Sequence, residues 1–159
     1  MKALALFLSL FVSVSIASAQ PVVVIVRHAE KATNGGNDPE LSSAGRARAD
    51  ALVRILKDSG ITAIFTSEFK RTQETAVPIA TSIGITATVV PAKDTAALVA
   101  KLRQLNGNAL VVGHGDTIPN IVKAIGINSL INISDEDYSE LLIVTLGDKP
   151  HLFRLHYPS

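Results

Sequence analysis

Three short stretches hold most of the residues able to do chemistry. Arg27-His28-Ala29-Glu30-Lys31 follows directly on one apolar run. Thr66-Ser67 follows a second, with Arg71 four residues beyond Ser67, and Gly113-His114-Gly115-Asp116-Thr117 follows a third. The chain has only 4 histidines, and two of them are here. Taken singly, each residue has an ordinary explanation: a histidine satisfied in a core, an arginine paired with an acid, glycines that let the backbone turn. Two histidines and two arginines at three strand ends point instead to phosphoryl transfer. A neutral imidazole is a competent nucleophile toward phosphorus. The outer phosphoryl oxygens stay negative throughout, so catalysis is mostly positioning and charge stabilisation. The planar fork of arginine suits phosphate through paired, charge-assisted hydrogen bonds. Neighbouring cations also disfavour protonation of His28 and keep its lone pair free.

The elements that must position these residues are legible from periodicity. Pro21 to Val26 is a continuous β-branched run, the pattern of a strand buried on both faces in a parallel sheet. After a loop over residues 33–39, Ser42 can cap a helix carrying Ala44, Ala47, Ala51, Leu52, Ile55 and Leu56, closed by Gly60. The alternation continues with a strand over 61–65, a helix over 70–83 kinked at Pro78, and a strand over 85–90. Asp94 caps a helix reaching Leu105, 109–112 is a strand, and a helix follows Thr117 with Pro119 in its first turn. That helix start would bring free N–H groups and a positive dipole end to His114. Residues 141–146 and 151–156 read as a terminal strand pair. The expected fold is an α/β three-layer sandwich: a mainly parallel sheet, helices on both faces, and a C-terminal antiparallel pair. In such sheets ligands bind beyond the carboxyl ends of the strands, where Arg27-His28, Ser67 and His114 fall.

Composition narrows the function classes. Of the 159 residues 47% are apolar and 18% charged, which excludes a disordered chain and allows one well-packed domain. A net charge of +1 argues against a broad nucleic-acid surface. The absence of cysteine excludes disulfides, thiolate catalysis and cysteine-based zinc sites. Residues 1–19 have the layout of a secretory signal: Met1-Lys2, an apolar stretch from Ala3 to Ile16, then Ala17-Ser18-Ala19. Cleavage is expected after Ala19, leaving a periplasmic or secreted domain over 20–159 without stable membrane insertion, since the apolar run is short for a bilayer span.

Arg27-His28 after a first strand, Ser67-x-x-x-Arg71-Thr72, and Gly113-His114-Gly115 at the end of the fourth strand together resemble the histidine phosphatase superfamily, also called phosphoglycerate-mutase-like. The chain is similar to small, compact members over nearly all of residues 20–159. The resemblance implies that His28 is the phosphorylated nucleophile, that Arg27 and Arg71 grip the phosphate oxygens, and that His114 donates to the phosphoryl group. It implies phosphate or substrate contacts for Asn34 and Ser67, and a structural role for Leu41-Ser42-Ser43-Ala44-Gly45 at a helix start. The reaction would have two steps, attack by His28 and hydrolysis of the phosphohistidine, with no metal and no organic cofactor.

The pattern departs from the family at the general acid. Many members carry a glutamate in an insertion after the third strand, where this chain has only Val90-Pro91-Ala92-Lys93. Others use an aspartate directly after the second histidine, where Gly115 intervenes before Asp116. Glu30, Asp116 and Asp94 are the remaining candidates, and a good leaving group needs no acid. The expected activity is that of an exported phosphomonoesterase acting on a phosphorylated small molecule or phosphoprotein at an open pocket. The alternatives are a protein-phosphohistidine phosphatase and a non-catalytic phosphate-binding module on the same fold.

Overall fold

The β-branched run near the N-terminus lies in the middle of a six-stranded sheet, in a computed structural model that describes residues 20–158. The leader expected over residues 1–19 lies outside the described residues. Along the chain come β1 (Val22–Arg27), α1 (Ser43–Leu56), β2 (Ile61–Thr66), α2 (Lys70–Ile83) and β3 (Thr88–Val89). Then follow α3 (Thr95–Arg103), β4 (Asn108–Gly113), α4 (Ile118–Ile125), β5 (Glu140–Thr145) and β6 (His151–His156). The strand order is β3-β2-β4-β1-β5-β6. The first four strands are parallel; β5 runs antiparallel to β1, and β6 to β5. The fold is the expected α/β architecture, mainly parallel with an antiparallel C-terminal pair.

Alternation along the strands builds two cores. Val23 and Ile25 of β1, with Ala109 and Val111 of β4, face Leu98, Val99 and Leu102 of α3 and Ile118, Ile121 and Val122 of α4. Val24, Val26, Leu110 and Val112 face the other way, against Leu52 and Leu56 of α1 and Ala76 and Ile79 of α2. Every residue of β1 from Val23 onward is buried, which is why the run shows no polar alternation. Because β2, β4 and β1 are neighbours and parallel, Ser67, His114 and His28 all emerge at one edge of the sheet. No helix among the described residues is long and apolar enough to cross a membrane.

Two helix starts follow their expected caps. The Ser42 hydroxyl accepts from the Gly45 N–H at 3.1 Å, and Asp94 Oδ1 accepts from the Ala97 N–H at 2.9 Å. Other boundaries move. The third strand shrinks from 85–90 to Thr88–Val89, because it is the sheet's edge and the preceding residues close α2 instead, with the Ile85 N–H donating to the Ala80 carbonyl. α3 ends at Arg103, two residues short of Leu105. α2 continues through Pro78 to Ile83, and there the missing N–H removes one helical hydrogen bond.

Candidate active site

The centre of the site is the backbone turn that carries β1 past Arg27. His28 is 4% exposed, and its own N–H donates to the Gly113 carbonyl at 2.9 Å, pinning it to the end of β4. Its Nδ1 lies 2.8 Å from the Ala29 carbonyl oxygen. A carbonyl can only accept, so Nδ1 carries the proton and the lone pair of the neutral ring sits at Nε2. Burial pushes the His28 imidazolium down to about 3, with His114, Arg27 and Arg71 acting in the same direction against the Ala29 hydrogen bond. The ring is therefore neutral at neutral pH, with its basic nitrogen turned away from the backbone.

His114 leaves β4 beside it, the two ring centroids 5.3 Å apart. Its Nε2 meets Ser67 Oγ at 2.9 Å. The Thr72 hydroxyl donates to the Phe69 carbonyl at 2.8 Å, so Ser67 donates to Thr72 Oγ1 at 2.9 Å and His114 Nε2 donates to Ser67. Ser67 thus orients the second histidine. Burial and Arg71 hold His114 down at about 4, opposed by Asp116 and Glu68.

Arg27 is 6% exposed and is held by a segment that carries no motif. Its Nη1 donates to the carbonyls of Ser134 at 2.6 Å and Asp137 at 3.1 Å, and Cζ lies 4.3 Å from the Tyr138 ring centroid. Nη2 approaches the exposed Asp135 at 4.0 Å, and the buried Nε has no acceptor among the described residues. Arg71, in the first turn of α2, rests on Phe69 with Cζ 4.3 Å from that ring, and its Nη1 lies 3.7 Å from Asp38 Oδ1. Asp38 also accepts the Lys70 N–H at 3.0 Å and so tethers the start of α2. Sequence reasoning did not single out Asp38, Tyr138 or the 134–138 segment; an aspartate and a tyrosine in loops carry no periodic signal.

Several expected site residues are placed elsewhere. Glu30 is not free to move protons: Arg48 Nε and Nη2 bind its carboxylate at 2.7–3.0 Å. Burial works against that charge, but the Arg48 hydrogen bonds prevail and hold the Glu30 carboxyl below its usual range. Arg48 Nη1 also donates to the Tyr157 carbonyl at 3.0 Å, tying the loop after His28 to the C-terminus. Asn34 is exposed and lines a surface groove with Asp38, Glu40, Arg46 and Lys70. Asp94 is occupied as the cap of α3, although it shares a crevice with Ser67 and His114. Asp116 is exposed and electrostatically in reach of His114, as is Glu68, which the sequence reading passed over.

The Leu41–Gly45 stretch explains how this loop stays closed. A Cβ on Gly45 would collide with the Glu30 carbonyl, so only glycine allows α1 to start directly against the loop after His28. The Ser42 N–H donates to the same carbonyl at 2.8 Å. Thr75 completes the clamp, accepting from the Ala29 N–H at 2.9 Å and donating to the Arg71 carbonyl at 2.7 Å.

Chemically, the site joins a nucleophilic nitrogen, a second imidazole and two guanidiniums with donors to spare, an arrangement able to receive a tetrahedral oxyanion. Residues 23–94, which include Arg27, His28 and Arg71, match the family model of the histidine phosphatase superfamily (branch 1). Among curated protein sequences none matches the chain significantly. The fold resembles that of the protein histidine phosphatase SixA complexed with tungstate, at TM-score 0.71 and 20% identity over 85% of this chain and 96% of that one. It is also similar to mycobacterial glucosyl-3-phosphoglycerate phosphatase with inorganic phosphate, at TM-score 0.70 and 17% identity over 87% of this chain and 98% of that one. A third solved structure, a mycobacterial hydrolase, matches at TM-score 0.65 and 17% identity, over 89% of this chain and 92% of that one. With the matched motif residues at the edge of this sheet, residues 23–94 of the chain resemble the histidine phosphatase superfamily (branch 1), and the whole described fold is that of the solved structures above.

Proposed function

We propose that this protein is an exported phosphomonoesterase that works through a phosphohistidine on His28. The observation that carries the reading is the state of His28: a neutral, buried imidazole, its Nδ1 proton committed to the Ala29 carbonyl, its Nε2 lone pair in a setting made cationic by Arg27 and Arg71. In the first step Nε2 attacks phosphorus, the P–O bond to the leaving group breaks, and the guanidiniums hold the non-bridging oxygens. His114 gains proton affinity once a phosphoryl dianion sits beside it, so it becomes a donor to that group in the bound state. Water then displaces phosphate from the phosphohistidine. Export rests on the signal-like pattern of residues 1–19.

A second reading, a phosphatase acting on phosphohistidine in proteins, draws support from one feature. Only Val90-Pro91-Ala92-Lys93 links β3 to the Asp94 cap of α3, leaving no insertion there to enclose a small substrate. SixA, a protein histidine phosphatase by name, shares the fold. A non-catalytic phosphate-binding module is the third reading.

Rapid quenching into alkaline detergent with radiolabelled substrate tests the main reading. Wild type should carry acid-labile, base-stable label and His28→Ala none. Absence of label and of turnover in wild type, with inorganic phosphate still bound, would leave only the binding module. Parallel assays on small phosphomonoesters and on a phosphohistidine-bearing protein decide between the first two readings.

A further inference from the structure

An arginine that grips phosphate can give only some of its five N–H donors to other acceptors, because the rest must reach the phosphoryl oxygens. Arg71 makes this plain: its nearest carboxylate, on Asp38, stands off at 3.7 Å, while the Phe69 ring lies 4.3 Å from its Cζ. Arg27 commits only Nη1 to backbone carbonyls, and the Tyr138 ring lies at the same 4.3 Å from its Cζ. Each ring also flanks the imidazole beside its arginine: Phe69 meets His114 edge-on at 5.3 Å, and Tyr138 lies 5.9 Å from His28. Since His28 and His114 are themselves 5.3 Å apart, the four rings make a continuous chain of contacts, with a guanidinium carbon over each outer ring.

We propose that Phe69 and Tyr138 are positioning residues that aim the two arginines at the phosphoryl group by stacking. Stacking fixes the plane of a guanidinium while leaving its edge donors free and its charge unneutralised, whereas a carboxylate partner would consume both. The two rings come from opposite ends of the site. Phe69 sits in the turn before α2, and Tyr138 in the segment before β5, outside the residues that match the family model. The inference rests on the phosphate-binding reading above, but the test separates them because it reads binding rather than turnover.

The experiment titrates inorganic phosphate into wild type, Phe69→Leu, Tyr138→Leu and the ring-preserving Phe69→Tyr and Tyr138→Phe, with thermal unfolding in parallel. Leucine keeps apolar bulk and removes the ring face. Each leucine variant should bind phosphate about three- to thirty-fold more weakly, the span of an exposed to desolvated cation–π contact, with Tm near that of wild type. The ring-preserving variants should stay within about two-fold of wild type. Leucine variants that bind phosphate as wild type does overturn the proposal and leave the phosphatase reading standing. Ring-preserving variants as weak as the leucine ones overturn it too. If the leucine variants do not fold, wild type still decides: the Nε–Hε resonances of Arg27 and Arg71 should show ring-current shifts, and unshifted resonances refute the stacking. Wild type that binds no phosphate at all removes both readings together.

Discussion

Replacing His28 by glutamine should make the protein more resistant to acid, and the size of the effect follows from where His28 sits. Its imidazolium is pushed from 6.5 to about 3 in the folded state, burial being the main cause. Unfolded, it takes up a proton near its ordinary value. Between those limits the unfolded chain binds more protons than the folded one, so stability falls as pH drops below about 6.5 and levels off only near about 3. Each pH unit in that window is worth about 1.4 kcal/mol, so this one side chain removes about 3 kcal/mol from wild type between pH 7 and pH 4. His114 adds a similar loss, fading near about 4 where the folded protein begins to accept the proton. Glutamine does not titrate, so the difference reads His28 together with its coupling to the adjacent His114. Urea unfolding at pH 7 and pH 4 reads it directly. With an m-value of about 2 kcal/mol/M, the wild-type midpoint should fall by about 1.5 M more than that of the variant. Parallel losses in the two proteins, within about 1 kcal/mol, would mean that His28 is protonated normally in the fold, and the account of its nucleophilic state would fail.

Gly45→Ala should destabilise the protein by about 1–3 kcal/mol in thermal unfolding, because the new Cβ meets the Glu30 carbonyl. Arg48→Met should cost about 3 kcal/mol by stranding the largely buried Glu30 carboxylate, and Glu30→Gln in the same chain should recover part of that loss; an additive double mutant refutes the pairing. Asp116→Asn separates chemistry from packing through the leaving group. If Asp116 supplies the proton, kcat/KM on alkyl phosphates should drop by about 100-fold and on activated aryl phosphates hardly at all, whereas equal losses on both assign it another role.

The sequence by itself determined the layers of this fold and which motif residues reach the carboxyl edge of its sheet. A β-branched run such as Val23–Val26 fits an interior strand buried on both faces, and side chains just past the carboxyl ends of neighbouring parallel strands converge. That is why Arg27, His28, Arg71 and His114 could be named before any coordinates, and why Ser42 and Asp94 were legible as caps: those signals are local in the chain. The partners of these residues were not legible. Arg48 binds Glu30 from 18 residues away, and the Ser134 carbonyl reaches Arg27 across 107. Such contacts depend on which element packs beside which, and no short-range periodicity encodes that. For the same reason Glu30 reads as a proton donor in the chain and is held by Arg48 in the fold, and the bond between Ser67 and His114 shows only there. The local pattern specifies which chemistry reaches the sheet edge; only tertiary packing decides which donors and acceptors are already satisfied there, because a buried polar group takes whichever partner the fold brings within about 3 Å.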